Sequence, residues 1–198
     1  MTLNIYAEKM KEYTDILFKA AMESDFNRLG EVADILIKNK NDGKRVYIAG
    51  NGGSAATASH MANDLVKGCR VGNNTGFRAI ALTDPMPILT CLANDFSYDE
   101  VFSIQLETHA EAGDLLIVFS GSGNSPNILK AVAAARKKDM KIIGFTGRTG
   151  GKLEKICDIS VIAPSDCMEQ IEDLHMFYEH GLITVIREQL AGSSNRSR

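Results

Sequence analysis

The first forty or so residues place apolar side chains at steps of three and four positions, which is the period of an amphipathic helix. The positions that follow this pattern between Leu3 and about Asn39 are Tyr6, Met10, Tyr13, Ile16, Leu17, Ala20, Leu29, Val32, Ala33, Leu36 and Ile37. Ser24 and Asp25 interrupt the pattern, and their side chains are favoured at helix N-caps. The sequence therefore predicts two N-terminal helices, within residues 1–40, that meet near these two residues.

After the turn at Asn41-Asp42-Gly43 the pattern changes to short apolar runs, most of which are followed by a helical segment. These runs predict strands over residues 45–49, 78–82, 115–119, 141–146 and 159–163. Strands that alternate with helices form βαβ units, whose sheet is mainly parallel and covered by helices on both faces. We therefore predict an α/β fold, in which ligands bind beyond the carboxyl ends of the strands.

A last helix is predicted over residues 168–190, with apolar side chains on more than one side. A helix of this kind is usually buried, and here we expect it to lie between subunits. Residues 192–198 are expected to form a disordered tail. A chain of 198 residues suits one domain, and neither a linker nor a repeat divides it, so we predict a single domain over residues 1–198 with its sheet core over 45–163.

Composition and charge indicate an ordinary soluble, globular protein, with 44% hydrophobic and 24% charged residues. The apolar runs fall far short of the ~20 residues of a membrane-spanning helix, and no secretory signal is visible, so the predicted location is the cytoplasm. The net charge of −3 offers no broad attraction to nucleic acid or to anionic lipid. The four cysteines lack CxxC spacing, and we expect reduced thiols.

Two turns rich in glycine and serine follow predicted strands. The first, residues 50–54 (GNGGS), leads into a helix of small residues, where backbone N–H groups and the partial positive charge of a helix N-terminus favour an anion. The alternative is a tight turn that only permits close packing. The turn is not a nucleotide P-loop, because no Lys follows the glycines.

The second turn, residues 120–127 (SGSGNSPN), offers three hydroxyls and two glycines at the start of another helix. Serine hydroxyls and backbone donors can hold a phosphate there. The simpler interpretation is that Ser125 caps the helix and that Pro126 occupies its first position. Two such turns after two parallel strands are more specific than one, and together they predict a phosphate site.

Three of the four histidines lie at suggestive positions. His60 and Asp64 are four residues apart on one helix, where they can share a divalent ion or form a simple ion pair. On the last helix, Glu172 could act with His180, about 12 Å further along the axis, or with His175, one turn away. Spacing alone does not choose between the two histidines. His109 has no evident partner and is expected to be structural.

Five motifs occur in order along the chain. They are residues 49–56 (AGNGGSAA), 93–96 (ANDF), 120–127 (SGSGNSPN), 144–147 (GFTG) and 150–151 (GG). With these motifs the sequence resembles the SIS (sugar isomerase) domain family and, within it, the phosphoheptose isomerases, which interconvert sedoheptulose 7-phosphate and a heptose 7-phosphate. The similarity covers nearly the whole chain, including the two leading helices and the last helix.

The resemblance implies a flavodoxin-like, doubly wound parallel sheet of five strands in three layers, with extra N-terminal helices. It also implies a homotetramer with active sites at subunit interfaces and one Zn²⁺ in each site. By position, the substrate contacts are Asn51, Gly52, Gly53, Ser54, Asp64, Asn94, Asp95, Ser120, Gly121, Ser122, Ser125 and Glu172. The implied metal ligands are His60, Asp64, Glu172 and His180, so the resemblance selects His180 over His175.

Four positions depart from the family's pattern. Asp64 stands where the family usually has Glu, and Glu172 stands where it has Gln. Gly68 occupies the position of the family's Arg, and Gly121 replaces a hydroxyl residue in the serine turn. These departures leave the phosphate-binding pattern intact and change the carboxylates around the metal.

The resemblance implies an aldose–ketose isomerase of heptose biosynthesis that converts sedoheptulose 7-phosphate to D-glycero-D-manno-heptose 7-phosphate through an enediol. Such chemistry needs a base, an acid and oxyanion stabilisation. We expect Asp64 and His180 to share the proton transfers while Zn²⁺ polarises the oxygens. The alternatives are a non-catalytic adaptor, such as one that binds a replication initiator, a sugar-phosphate-binding regulator, and an isomerase of another sugar phosphate. Retention of His60 and His180 favours an enzyme, because an adaptor needs no metal-spaced imidazoles.

Overall fold

A five-stranded, all-parallel sheet forms the centre of the computed structural model, which describes residues 4–195. Its strands are β1 (Arg45–Ala49), β2 (Arg78–Ala81), β3 (Leu115–Ser120), β4 (Lys141–Gly147) and β5 (Ile159–Ala163). Their order across the sheet is β2-β1-β3-β4-β5, with parallel pairing throughout. The five predicted strands are therefore present, and the flavodoxin-like order is confirmed.

Helices cover both faces of this sheet. Within residues 4–195 they are α1 (Ile5–Met22), α2 (Phe26–Asn41), α3 (Gly53–Asn63), α4 (Met86–Asp95), α5 (Ser103–His109), α6 (Pro126–Lys137), α7 (Leu153–Ile156) and α8 (Met168–Asn195). The predicted boundary between the two N-terminal helices is confirmed. The carboxylate of Asp25 accepts a hydrogen bond from the backbone N–H of Arg28 at 3.0 Å and so caps α2.

Helix α8 is longer than the sequence pattern predicts. It begins at Met168, as expected, and continues to Asn195 instead of ending at residue 190. Of the tail that was predicted to be disordered, residues 192–195 belong to the helix and residues 196–198 lie outside the described residues. The difference has a simple cause, since Gly192 lowers helix propensity but does not end a helix as a proline would.

The central strand β3 divides the core into two apolar layers. Leu115, Ile117 and Phe119 pack into the layer that includes residues of α2, α3 and α8, whereas Leu116 and Val118 pack into the layer of α4, α5 and α6. All of these side chains are buried, and burial of each contributes about 1.5–3 kcal/mol. Because successive side chains of β3 point to opposite faces, α3 and α8 lie on one side of the sheet and α4, α5 and α6 lie on the other.

Helix α8 packs one face on the sheet and exposes apolar side chains on another. Leu174, Tyr178 and Ile186 are buried, but Phe177 and Val185 are 49% and 50% exposed. The prediction that α8 has apolar residues on several sides is thus correct. None of the helices within residues 4–195 is long and apolar enough to cross a membrane.

Candidate active site

The first glycine-rich turn connects β1 to the N-terminus of α3. Gly52 adopts a positive φ of 57°, which glycine reaches without strain, and it is the N-cap residue of α3. No side chain of the described residues caps this helix. The N–H groups of Ala55 and Ala56 donate to the carbonyl of Gly52, and those of Gly53 and Ser54, which come before them, are the donors left for a ligand. These donors and the helix dipole make the turn suitable for an anion.

The serine turn after β3 leaves the hydroxyl of Ser125 available for a ligand. Ser125 occupies the N-cap position of α6 and Pro126 follows it, as the simpler interpretation expects. The Ser125 side chain, however, makes no capping hydrogen bond, and its Oγ lies 3.3 Å from Ser120 Oγ. The predicted capping role of the Ser125 side chain is therefore not observed. The hydroxyls of Ser120 and Ser125 lie next to each other near the N-terminus of α6.

Glycines of a neighbouring loop support the serine turn. Gly123 has a positive φ of 63°, and a Cβ there would collide with the backbone carbonyl of Gly150. A Cβ on Gly151 would likewise meet the backbone of Ser122 and Gly123. The motif at 150–151 thus permits close packing that fixes the shape of the serine turn.

The two turns meet in a cleft of about 290 Å³. Its lining residues are Asn51, Gly52, Gly53, Ser54, Phe119, Ser120, Gly121, Ser122, Ser125, Met168 and Glu172. The cleft lies beyond the carboxyl ends of β1 and β3, where the strand order reverses, which is the usual place for a ligand in a doubly wound sheet. Nine of the residues to which the resemblance assigns substrate contacts therefore lie in one cleft.

The side chain of Asn51 is held in place by two polar neighbours. Asn51 and Asn127 exchange two hydrogen bonds between their amides, at 2.9 and 2.8 Å, and the hydroxyl of Tyr98 donates to Asn51 Oδ1 at 2.9 Å. Our sequence reasoning gave Tyr98 no role, because it lies 47 residues away in the chain. One N–H of Asn51 stays free of these bonds and can donate to a ligand.

Asn94 and Asp95 lie apart from the cleft of their own chain. They end α4, where Asn94 Nδ2 donates to Asp95 Oδ1 at 2.8 Å and Cys91 Sγ donates to Asp95 Oδ2 at 3.4 Å. These hydrogen bonds, that of Asn94 first, lower the pKa of Asp95. Within the described chain, these two residues are not brought together with the other substrate contacts that the resemblance implies.

A second cluster of polar groups lies between α3 and α8. It consists of His60, Asp64, Glu179 and His180, whose candidate ligand atoms all lie within 4.8 Å of one another. The Nε2 atoms of the two histidines are 3.0 Å apart. Asp64 Oδ2 lies 3.6 Å from His60 Nε2, and Glu179 Oε2 lies 3.5 Å from His180 Nε2 and 3.9 Å from His60 Nε2.

Local backbone structure places Asp64 in this cluster. A π-helical turn, Asp64–Gly68, continues α3, and the N–H of Cys69 donates to the carbonyl of Asp64 at 3.0 Å across it. Such turns occur frequently at functional sites. Helices α3 and α8 run side by side in the same direction, since Gly53 lies against Glu172 and His60 lies against His180.

Glu179 is the functional candidate that the sequence analysis missed. Its side chain is 0% exposed, and neither carboxylate oxygen has a hydrogen-bond partner among the described residues. Burial, and then the charge of Asp64, raise the pKa of Glu179 to about 8. The available signal was an acidic residue among the buried, mostly apolar positions of α8.

The structure decides between His175 and His180. His175 is fully buried, and its Nε2–H donates to the carbonyl of Thr146 at 3.0 Å. Burial lowers the pKa of His175 to about 4. His175 is therefore a neutral residue that holds α8 on the sheet, whereas the exposed ring of His180 belongs to the cluster.

The cluster has the chemistry of a divalent metal site. Imidazole nitrogens and carboxylate oxygens are ligands of Zn²⁺, and bonds of about 2.0–2.1 Å in a tetrahedron separate neighbouring ligand atoms by about 3.4 Å. The four separations given above, 3.0 to 3.9 Å, lie around that value, and all of the candidate ligand atoms lie within 4.8 Å of one another. Glu179, buried without a partner, also fits a site that a cation completes. Three implied ligands, His60, Asp64 and His180, are brought together, and Glu172 lies instead in the cleft.

Comparisons with known proteins agree with this fold. The sequence model of the SIS domain family matches residues 6–147. The phosphoheptose isomerase of Aliarcobacter butzleri is 40% identical over 163 residues, which cover 82% of this chain and 86% of that protein. A solved phosphoheptose isomerase from Francisella tularensis has a TM-score of 0.86 at 28% identity and covers 95% of this chain and 100% of its own. One from Neisseria gonorrhoeae has a TM-score of 0.86 at 30% identity and covers 92% and 99%.

Proposed function

The chain belongs to the SIS domain family and, within it, to the phosphoheptose isomerases, and from this premise we propose that it converts sedoheptulose 7-phosphate to D-glycero-D-manno-heptose 7-phosphate. The observation that carries the proposal is the placement of two sites along one pair of helices. The cleft lies at the N-terminus of α3, and the histidine cluster lies at its C-terminal end. One site suits a phosphate, and the other suits the reacting carbons.

The cleft holds the phosphate in this proposal. Backbone N–H groups of Gly53 and Ser54 and the hydroxyls of Ser120, Ser122 and Ser125 are its donors. No Lys or Arg lines the described cleft, so neutral donors and the dipoles of α3 and α6 carry the recognition. The free N–H of Asn51 donates to a sugar hydroxyl.

The distance between the two sites supports a long sugar. Gly53 and His60 are seven residues apart on α3, or about 10 Å along its axis. A fully extended chain advances about 1.2 Å per bond, so about eight bonds span that length. From the first carbon of a heptose 7-phosphate to its phosphorus there are eight such bonds. An extended heptose 7-phosphate therefore has a length similar to this spacing.

Proton transfer is assigned to two side chains of the cluster. Asp64 removes the proton from the carbon beside the carbonyl and returns it to the neighbouring carbon, and the imidazole of His180 exchanges the hydroxyl proton. A ring nitrogen bound to a cation has no lone pair for a proton, so His180 must release the cation from that nitrogen to carry a proton on it. A bound divalent cation such as Zn²⁺ supplies Lewis-acid polarisation of the sugar oxygens. His60, Asp64 and His180 are the ligands that the resemblance and the cluster share.

We extend the proposal to a cytoplasmic homotetramer with active sites between subunits. An apolar groove of about 310 Å³ runs along α2 and α8 and includes Phe26, Leu29, Phe177 and Val185. A second subunit packed on this face would bury it. We propose separately that Asn94 and Asp95, which lie apart from the cleft of their own chain, contact the site of a neighbouring subunit. Size-exclusion chromatography with light scattering tests this assembly, and a stable monomer would contradict it.

The test of the function uses zinc-loaded protein and sedoheptulose 7-phosphate, followed by NMR of the sugar. The expected result is an aldoheptose phosphate, with a chelator-treated sample as the control for metal dependence. A parallel reaction with fructose 6-phosphate, one carbon shorter, tests the length argument. Conversion of the shorter sugar alone would reject the heptose substrate, and binding of sedoheptulose 7-phosphate without turnover would favour a regulator.

A further inference from the structure

We propose that Glu179 is a ligand of the metal site and that Glu172 is not. The inference rests on the proposed function only in that the cluster holds a divalent cation. It assigns the carboxylates of α8 differently from the resemblance, which implies Glu172. The two carboxylates lie in different places and have different surroundings.

Glu179 directs its carboxylate at both imidazoles. Its Oε2 lies 3.5 Å from His180 Nε2 and 3.9 Å from His60 Nε2, and those two nitrogens are 3.0 Å apart. Asp64 approaches His60 Nε2 from the other helix at 3.6 Å. Four candidate ligand atoms from two helices thus lie within 4.8 Å of one another, a grouping that could hold one metal ion.

No other group of the described chain explains the position of Glu179. The side chain is 0% exposed, and both carboxylate oxygens lack a hydrogen-bond donor within residues 4–195. Within residues 4–195, the basic groups that lie within 4.0 Å of the carboxylate are the imidazoles of His60 and His180. A carboxylate buried without a partner is costly, and a cation held with His60 and His180 would remove that cost.

Glu172 has a different environment. Its carboxylate lies against Gly53 at the start of α3, so closely that a Cβ on Gly53 would collide with it, and it lines the cleft. Glu172 and Glu179 are seven positions apart on α8, or about 10 Å along the axis. Glu172 is therefore placed to contact the sugar phosphate, whereas Glu179 is placed to contact the metal.

The test compares two matched variants, Glu179→Leu and Glu172→Leu, by metal affinity. Zn²⁺ is titrated into the metal-free proteins in competition with a chromophoric chelator. We expect Glu179→Leu to weaken Zn²⁺ binding at least about 100-fold. Loss of a residue that only hydrogen-bonds to a ligand typically lowers metal affinity 10- to 100-fold, and loss of a ligand itself should cost more. We expect Glu172→Leu to stay within about threefold of the unmodified protein. The opposite pattern would overturn the inference.

Stability of the metal-free proteins provides the folding control. Leucine at position 179 removes a buried carboxyl group that has no hydrogen-bond partner among the described residues, so the metal-free variant should melt at or above the temperature of the unmodified protein. The rise in melting temperature on adding Zn²⁺ should largely disappear. Should the leucine variant misfold, Glu179→Gln with Co²⁺ as the probe gives the same comparison, and an unchanged cobalt spectrum would reject the ligand.

The outcomes separate this inference from the proposed function. If the unmodified protein binds Zn²⁺ and Glu179→Leu binds it equally well, the ligand assignment fails and the metal-assisted isomerase survives. If the unmodified protein binds no divalent metal, both fail. If Glu179→Leu loses the metal and the unmodified protein does not isomerise sedoheptulose 7-phosphate, the ligand stands and the substrate is wrong.

Discussion

The cleft and the histidine cluster share α3 and α8, yet they are built in different ways. The cleft is formed mainly by two short turns whose backbone groups and serine hydroxyls come from contiguous segments, and Met168 and Glu172 of α8 complete its lining. The cluster consists of side chains from two helices whose histidines are 120 residues apart in the chain. The cleft therefore depends on local backbone shape, and the cluster depends on how α8 packs beside α3. Changes in the two regions should have separable effects on binding, turnover and stability.

The largest effect is expected from Asp64→Asn in the cluster. The amide cannot accept a proton from carbon, so turnover of sedoheptulose 7-phosphate should fall by about 10² to 10⁴-fold. The melting temperature should change little, because Asp64 is partly exposed. Steady-state kinetics by NMR and thermal unfolding check both statements. His180→Ala is the matched variant on α8, and full turnover in either one would remove that residue from the mechanism.

Acidification should lower the free energy of unfolding through His175, which holds α8 on the sheet. Both the cleft and the cluster include residues of α8. The pKa of His175 is about 4 in the folded protein, below its ordinary value of 6.5, so the unfolded chain binds the proton more readily. The stability contributed by neutral His175 is complete above pH 6.5 and is lost as pH falls from 6.5 towards 4, by up to about 3 kcal/mol. Urea unfolding of the metal-free protein at pH 7 and pH 5 measures this loss.

His175→Gln is the control for the pH experiment. The amide can still donate to the carbonyl of Thr146 but does not titrate, so the variant should lose less stability between pH 7 and pH 5 than the unmodified protein. Both proteins contain the same histidine cluster, so its contribution to the pH dependence of stability cancels when the two losses are subtracted. An equal loss in both would assign the pH dependence to other groups.

Gly123→Ala should damage the cleft without touching the cluster. Its positive φ and its close approach to the carbonyl of Gly150 predict a destabilisation of about 1–3 kcal/mol. The distorted serine turn should raise KM for the sugar phosphate, while Zn²⁺ affinity stays unchanged. Gly192→Ala is a matched control, since its Cβ would meet nothing within 4 Å and should be neutral or slightly stabilising. Loss of metal binding in Gly123→Ala would contradict the separation of the two regions.

The difference between the two regions also explains how much could be predicted from the sequence. The strands and both turns were found because alternation of apolar runs and clustering of Gly and Ser are local patterns. Glu179 was not found, although it is adjacent to His180, because a helical residue faces residues three and four positions away and not its neighbour. Its meaning appears once the buried face of α8 is known. Asn94 and Asp95 also could not be placed from the sequence. The resemblance assigns them to the substrate site, but in the folded chain they end α4 and do not line the cleft.

The smallest effect is expected from Ser125→Ala, and it separates capping from binding. Because the Ser125 hydroxyl makes no capping hydrogen bond, its removal should change the free energy of unfolding by less than about 0.5 kcal/mol. If that hydroxyl donates to a phosphate, its loss should raise KM by about 10- to 100-fold with little change in kcat, since a hydrogen bond to a charged group contributes about 1.5–3 kcal/mol. Urea unfolding and initial-rate kinetics measure the two quantities.

Asp25→Ala provides the reciprocal control, because Asp25 caps α2 with its side chain and lies outside the cleft. It should lower stability by about 1 kcal/mol and leave KM unchanged. If Ser125→Ala instead loses stability like Asp25→Ala and keeps its KM, the serine is a structural cap and the phosphate must be held by other donors. If Ser125→Ala raises KM and leaves stability unchanged, the cleft binds the phosphate through a hydroxyl that does not stabilise α6. Substrate binding at this position is then independent of the hydrogen bonds that hold the fold together.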